Sequence, residues 1–205
     1  NFSGGFNGFW DYWMEDAVLY AYQNNVIMTI SVGNNNQSPV EYPARFSFYG
    51  TIPGFENGYS NVIAVSATDQ NDLFSAYSNK GLEVSVSAPG GFGFPYDSDD
   101  IYSTTPNYPF SFEQLYGITQ NYGYLAGTSF AAPVVAGIAA LILSVNPSLT
   151  PVQVRDIIQQ TADDKGAPGR DDYYGWGRVN AYQAVLLALA YSNKSINPQL
   201  LSTNS

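Results

Sequence analysis

The stretch Gly127-Thr128-Ser129-Phe130-Ala131-Ala132-Pro133 runs without a break into the apolar segment 134–143. Such a continuous apolar segment predicts a helix that is buried on all sides, extending to about Ser144. Ser129 would then lie in the first helical turn, where backbone N–H groups and the helix dipole stabilise negative charge. A serine at this position is also a common helix cap. The stretch taken alone therefore leaves two interpretations open, a cap and a nucleophile.

A second motif, Ser31-Val32-Gly33-Asn34, ends the β-prone segment 26–32. An uninterrupted apolar run of this kind is typical of a buried parallel strand. Gly and Asn often do no more than turn the chain at the end of a strand. The side-chain amide of Asn34 could equally serve as a hydrogen-bond donor for a developing oxyanion.

The remaining pattern alternates between strands and helices, which indicates a parallel sheet flanked by helices. Thr150-Pro151-Val152-Gln153 is a capping box with proline at the first helical position, and Asn180 is placed to cap the last helix. The predicted helices cover 11–23, 129–144, 151–160 and 181–191, and the predicted strands cover 26–32, 62–67 and 82–87.

Composition limits the classes of function. The chain has 205 residues, no Cys, no His, 45% hydrophobic residues and a formal net charge of −10. One domain with a sizeable core is expected from this length. Nucleic-acid binding is not expected, because it needs clustered Lys and Arg and only 7 are present. Disulfides and thiol catalysis are excluded by the lack of Cys, and no apolar segment is expected to span a membrane.

The two motifs and their order resemble the subtilisin-like serine proteases (subtilases). Asn1-Phe2-Ser3-Gly4-Gly5 also resembles a strand in the middle of that family's catalytic domain. The resemblance implies a three-layer α/β fold with a mostly parallel sheet between helices, of which this chain would form the C-terminal part. Residues 1–191 would belong to the peptidase domain, and 192–205 would form a tail.

The resemblance also implies roles for individual residues. Ser129 would be the acylating nucleophile of a serine endopeptidase, and Asn34 would join the Ser129 backbone N–H in the oxyanion hole. Two short segments would pair with the substrate backbone on either side of the S1 pocket. These segments are Ser3, Gly4 and Gly5, and Ser31, Val32 and Gly33.

Glu41 precedes Tyr42-Pro43-Ala44, which resembles the family segment at the base of S1. A carboxylate pointing into that pocket would favour Arg or Lys at P1, because an unpaired buried charge is costly. The alternative is a solvated loop carboxylate.

A subtilase needs a His as general base and an Asp to orient it, and this sequence contains no His. The chain alone is therefore predicted to be inactive. The expected partners are a polypeptide substrate and an N-terminal fragment of the same protease that carries the Asp and His. Two alternatives stay open, which are a non-catalytic binding or scaffold protein derived from a protease and a structural surface protein.

Further expectations concern ions, location and the rim of the cleft. The chemistry needs no cofactor, but the resemblance suggests Glu83, with carbonyls near Tyr59 and Val62, as a ligand of structural Ca²⁺. The family resemblance and the richness in Asn, Ser and Tyr favour a secreted or cell-surface protein. The aromatic-rich segment 92–120 resembles an insertion at the rim of the cleft. Its rings would either pack over the sheet or bind polypeptide.

Overall fold

The structure, a computed structural model, describes residues 12–47 and 58–196, with side chains described to residue 191. Ser3, Gly4 and Gly5 lie outside this part of the chain. The helices are α1 (Tyr12–Gln23), α2 (Ser111–Tyr116), α3 (Thr128–Val145), α4 (Pro151–Gln160) and α5 (Ala181–Ile196), with a short 3-10 helix at Ala44–Ser47. The strands are β1 (Met28–Ser31), β2 (Val62–Thr68), β3 (Val86–Pro89), β4 (Ile101–Thr104) and β5 (Tyr122–Leu125).

The main sheet consists of β1, β2 and β3 in that spatial order, and both strand pairs are parallel. Every residue of β2 is buried, as expected for an uninterrupted apolar strand covered on both faces. The predicted parallel sheet is therefore confirmed. Its strands end at the same edge, which is where a ligand site is expected in a sheet of this kind.

The third strand begins later than the sequence analysis predicted. Residues 82–85 were expected to be extended, but β3 starts at Val86. The chain instead turns between Gly81 and Val84, where the Val84 N–H donates to the Gly81 carbonyl. The side chain of Glu83 is buried in this turn and pairs with Arg45. The buried contact of this charged residue thus outweighs the alternating sequence pattern that predicts a strand over 82–85.

Helix α3 packs against all three strands of the main sheet and against α5. Its buried face includes Ala131, Val135, Ile138 and Ile142. The opposite face is exposed, with Val134 at 39% and Leu141 at 50% exposure. The expectation of a helix buried on all sides is therefore wrong for the part of the chain that the structure describes.

The length and composition of α3 alone would allow it to cross a membrane, since its mean hydropathy is 2.0 over 18 residues. Its packing against the sheet is that of a core helix of a folded domain. The same apolar composition therefore serves the core here.

The last two helices follow their sequence signals. Thr150 and Gln153 form both hydrogen bonds of the capping box at the start of α4. Asn180 Oδ1 accepts from the Gln183 N–H at the start of α5. This helix continues to Ile196, five residues beyond the predicted end.

The aromatic-rich segment forms a small unit of its own with the residues that follow it, up to the start of α3. Strands β4 and β5 pair antiparallel, and α2 lies between them in the chain. Many of its rings are exposed and pack against each other rather than over the main sheet. We call the two strands β4 and β5 the aromatic ribbon.

A glycine turn fastens β3 to the C-terminal part of the chain. The Ser87 N–H donates to the Gly177 carbonyl, and the Trp176 N–H donates to the Ser85 carbonyl. Gly175 has φ +62°, and a Cβ atom there would lie 2.4 Å from the Ser85 carbonyl oxygen. Only glycine fits, because any side chain would collide with the backbone that leads into β3.

Gly175 and a second glycine, six residues earlier in the chain, provide a matched pair of substitutions. Gly169 also has a positive φ, +81°, but a Cβ atom there would meet nothing within 4 Å. We expect Gly169→Ala to lower the free energy of unfolding by about 1 kcal/mol, from backbone strain alone. Gly175→Ala should lower it by about 3 kcal/mol or more, since strain and collision add. Urea denaturation measures both, and equal losses would contradict the packing described here.

Candidate active site

The site lies where the carboxyl ends of the parallel strands meet the start of α3. Asn34 follows β1, and Gly90 follows β3. The Gly127 N–H, just before α3, donates to the Gly90 carbonyl at 2.8 Å. The sheet edge and the helix start are thereby joined, which places Ser129 at this edge.

The side chain of Asn34 is held by Thr128. Asn34 Oδ1 accepts from both the Thr128 backbone N–H and the Thr128 hydroxyl, each at 2.9 Å. Because a backbone N–H can only donate, the amide oxygen must face Thr128, and Nδ2 becomes the donor available to a ligand. A Cβ atom on Gly127 would lie 3.6 Å from Asn34 Nδ2 and 3.7 Å from the Ser129 nitrogen. The structure therefore brings Asn34 and Ser129 together.

Ser129 is the second residue of α3 and is half-buried. The first N–H groups of a helix have no acceptor within the helix, and the positive end of its dipole lies here. A negative charge that forms beside Ser129 is thus stabilised by the helix itself. Gly127, the N-cap residue, has no side chain to cap the helix, and Asn34 Oδ1 accepts from the Thr128 N–H instead.

Ser31, Val32 and Gly33 connect β1 to Asn34. Ser31 and Val32 are buried, and Ser31 Oγ has no hydrogen-bond partner within the part of the chain that the structure describes. Gly33 has φ +102°, and a Cβ atom there would lie 2.3 Å from Asn79 Nδ2. Glycine is required here on both counts.

Asn79 is a positioning residue that the sequence analysis missed. Its Nδ2 donates to the Val32 carbonyl at 3.0 Å, and its Oδ1 accepts from the N–H groups of Asn35 and Gln37. The side chain is fully buried and fixes the loop that carries Asn34. These contacts join residues more than forty positions apart, and no local pattern around Asn79 announces them.

Tyr77 is a second such residue. Its hydroxyl donates to the Gly90 carbonyl at 2.7 Å and to the Gly91 carbonyl at 3.1 Å. Burial raises the pKa of the Tyr77 phenol above its usual value, so the group stays protonated. It therefore supports the backbone that receives the Gly127 N–H.

Glu41 is half-buried and lies against the same loop. Its Oε1 accepts from Asn35 Nδ2 at 2.7 Å and from Gln37 Nε2 at 3.3 Å, and Asn79 Nδ2 is 3.5 Å away. These three donors are neutral amides. A cavity of about 300 Å³ beside Glu41 is also lined by Tyr42 and Arg45. Among the described residues, Glu41 thus borders a cavity and has no cationic partner.

Glu83 behaves differently from a free metal ligand. Its Oε1 lies 3.5 Å from Arg45 Nε, while its buried Oε2 has no hydrogen-bond partner among the described residues. Ca²⁺ takes six to eight oxygen ligands, and a bound ion would have to compete with the guanidinium charge. Within residues 12–47 and 58–196, no group of three or more acidic, His or Cys side chains is arranged to hold a metal ion. Glu83 thus pairs with Arg45 in the part of the chain that the structure describes, and a Ca²⁺ site there stays a prediction.

The arrangement provides a hydroxyl, an amide donor and a helix start, but no general base of the usual kind. The whole sequence lacks His. Acyl transfer by a serine needs a base within hydrogen-bond reach of its hydroxyl.

Known proteins of one family are similar to this chain in sequence and in fold. The model of the subtilase family matches residues 2–177. Thermitase of Thermoactinomyces vulgaris is 37% identical over 172 residues, which are 84% of this chain and 48% of thermitase. The minor extracellular protease Epr of Bacillus subtilis is 33% identical over 87% of this chain and 23% of Epr.

A solved protease structure from Pseudoalteromonas arctica superposes with a TM-score of 0.72 at 31% identity, covering 92% of this chain and 50% of that one. The chain thus spans half or less of the length of these relatives. Because the family model matches well over half of the chain, and the fold and the order of the motifs agree with it, the chain belongs to the subtilase family.

Proposed function

We propose that this chain is the C-terminal part of a serine endopeptidase that cleaves peptide bonds through an acyl-enzyme on Ser129. The observation that carries the proposal is the placement of the Asn34 amide, fixed by Thr128, beside the Ser129 N–H. A tetrahedral intermediate requires at least two N–H donors that lie close together, and this placement supports that role.

In this mechanism the Ser129 hydroxyl oxygen attacks the scissile carbonyl carbon, and its proton passes to the imidazole of a His outside this chain. The carbonyl oxygen becomes an oxyanion held by Asn34 Nδ2 and the Ser129 N–H. Collapse expels the amine, which takes the proton from the imidazole, and leaves an ester on Ser129. Water, deprotonated by the same base, then hydrolyses the ester.

The segment that carries the His and Asp is proposed to pack on the exposed side of α3 and β1. Strand β1 pairs only with β2 among the described strands, so its other edge offers unpaired backbone groups. A groove of about 270 Å³ beside it is lined by Ile27, Thr29, Ala136 and Leu143, among other residues. An apolar helix face next to an open strand edge is suited to an additional strand and helix of the same domain.

A non-catalytic binding or scaffold protein is the second candidate, and the observation that favours it is the lack of His in the sequence. Such a protein would keep the cleft and bind polypeptide without cleaving it. The orientation of Asn34 favours the enzyme, because a binding protein has no need of a donor directed at an oxyanion. Secretion of the whole protein is part of the proposal and is supported by Epr, a relative named as extracellular. Structural Ca²⁺ is not part of it.

Specificity for Arg or Lys at P1 is also proposed. The support is the half-buried carboxylate of Glu41, which meets only neutral amides and borders a cavity. Arg45 lies nearby, but its charge is paired with Glu83. A cationic substrate side chain would relieve the unpaired charge of Glu41.

The nucleophile is tested by labelling the purified, non-denatured protein with a serine-directed fluorophosphonate, followed by peptide mapping and intact-mass analysis. We expect a co-purifying fragment that contains His and Asp, and a label on Ser129 that disappears in Ser129→Ala. Ser144→Ala is the control, since Ser144 is exposed at the other end of α3. An unlabelled chain without such a fragment would support the binding protein instead.

The oxyanion donor is tested by Asn34→Ala in the protease that contains the His and Asp segment. We expect kcat to fall by about 10²-fold to 10³-fold with little change in KM, because the lost hydrogen bond forms only in the transition state. Asn36→Gly is the control, because Asn36 is an exposed residue of the same loop and glycine readily adopts its φ of +51°. A similar loss in both variants would count against a specific role for Asn34.

The P1 preference is tested with peptides that differ only in Lys, Arg or Phe at P1. We expect Glu41→Gln to lower kcat/KM for the Lys and Arg peptides by about 10-fold to 100-fold, because a charged hydrogen bond is lost, while the Phe peptide changes little. Gln keeps the shape of the side chain. Equal rates for all three peptides with the unmodified enzyme would refute the preference.

A further inference from the structure

Three tyrosine rings share one face of the aromatic ribbon. Tyr102 lies opposite Tyr124 in the β4–β5 register, and Tyr122 is two residues before Tyr124. Because side chains alternate between the faces of a strand, all three rings point the same way. The Tyr102 ring lies 4.8 Å from the Tyr124 ring and 5.7 Å from the Tyr122 ring, centroid to centroid.

This face is directed outward. Tyr102 is 60% exposed and Tyr122 is 52% exposed, whereas Gly123, on the other face, is buried. A Cβ atom on Gly123 would lie 2.6 Å from the Ile118 side chain, so the inner face of the ribbon is already covered. The tyrosine face therefore carries a contiguous aromatic surface that nothing in the described chain covers.

The charged residues of the segment that contains this surface are all negative. The segment 92–125 contains no Lys or Arg, and it contains the carboxylates of Asp97, Asp99, Asp100 and Glu113. Asp100 immediately precedes β4 and lies two positions before Tyr102. Aromatic faces and carboxylates both attract cations. The chain already uses this chemistry elsewhere, with Lys80 Nζ 5.2 Å from the Tyr173 ring centroid.

The ribbon is continuous with the candidate active site. Tyr124 and Ser129 are five positions apart in the chain, which limits the distance between their Cα atoms to about 18 Å. The Gly127 N–H bonds to Gly90 at the end of β3, whereas Gly33 and Glu41 lie at the end of β1. Because β2 lies between β1 and β3, the ribbon and Glu41 are on opposite sides of the site.

We propose that the tyrosine face of the ribbon binds Lys or Arg side chains of a polypeptide substrate, within about five residues after the scissile bond. This assignment rests on the proposed function for its direction along the substrate. It adds a second recognition surface for cationic polypeptide, across Ser129 from Glu41.

The binding surface is tested in the protein carrying Ser129→Ala, so that peptides are not cleaved. Two fluorescent peptides are compared by anisotropy at low salt, one with Lys at the third to fifth positions after the scissile bond and one with Gln there. We expect the Lys peptide to bind more tightly, and added salt to reduce the difference.

The matched variants are Tyr102→Thr/Tyr122→Thr, which removes two rings from exposed strand positions, and Tyr102→Phe/Tyr122→Phe, which keeps them. Each exposed ring should contribute about 2-fold to 5-fold in affinity. The Thr pair should therefore weaken binding of the Lys peptide by about 4-fold to 25-fold, while the Phe pair binds nearly as the parent does. Equal binding of the Lys and Gln peptides, no binding of either, or an unchanged affinity in the Thr pair would overturn the proposal.

Kinetics separates this proposal from the proposed function. With the active protease, a short substrate that ends in a chromogenic amide reports hydrolysis without any residues beyond the scissile bond. Hydrolysis of that substrate with no advantage for Lys-extended peptides would overturn the ribbon as a recognition surface and keep the protease. Binding of the Lys peptide by the ribbon with no hydrolysis of any substrate would keep the surface and overturn the protease.

Discussion

The packing of α3 against the three parallel strands is the constraint on which the rest of the structure depends. The buried face of α3 consists of small and branched residues, so the helix approaches the sheet closely and packs on Ile63, Val65 and Ala67 of β2. This contact fixes where α3 begins relative to the strand ends. Because Ser129 is the second helical residue, its position follows from the packing of the whole helix and not from the loop before it.

Hydrogen bonds at the sheet edge convert this coarse placement into a defined site. Asn79 holds the loop after β1, Thr128 holds Asn34, and Tyr77 holds the backbone after β3. The first two bonds join residues more than forty positions apart, and each of the three bonds has a backbone group on one side, which needs a partner when buried. Gly33 is the point where these contacts are tightest, since even a methyl group would displace Asn79.

Much of the fold could be predicted from local signals. The capping box at Thr150 and the apolar run of β2 each have a single physical explanation that lies within a few residues. The start of β3 could not be predicted, because the turn at Glu83 is stabilised by Arg45, which is far away in the sequence. The roles of Asn79 and Tyr77 could not be predicted for the same reason. The motif around Ser129 indicated the position of the site, whereas the residues that orient it became visible only in three dimensions.

The contacts that orient the site and the base that the proposed mechanism needs belong to different parts of the proposed protease. The contacts that orient Asn34 and the start of α3 are all made within this chain. In the proposed mechanism, the two oxyanion donors are therefore held in place by this chain, and the proposed segment with the His needs only to place an imidazole beside Ser129. Electrostatic stabilisation depends on donors that need no rearrangement during the reaction. In the proposed mechanism, the core packing of this chain thus fixes the two hydrogen-bond donors, whose positions tolerate the least displacement during catalysis. Proton transfer then depends on the contact between this chain and the proposed segment with the His.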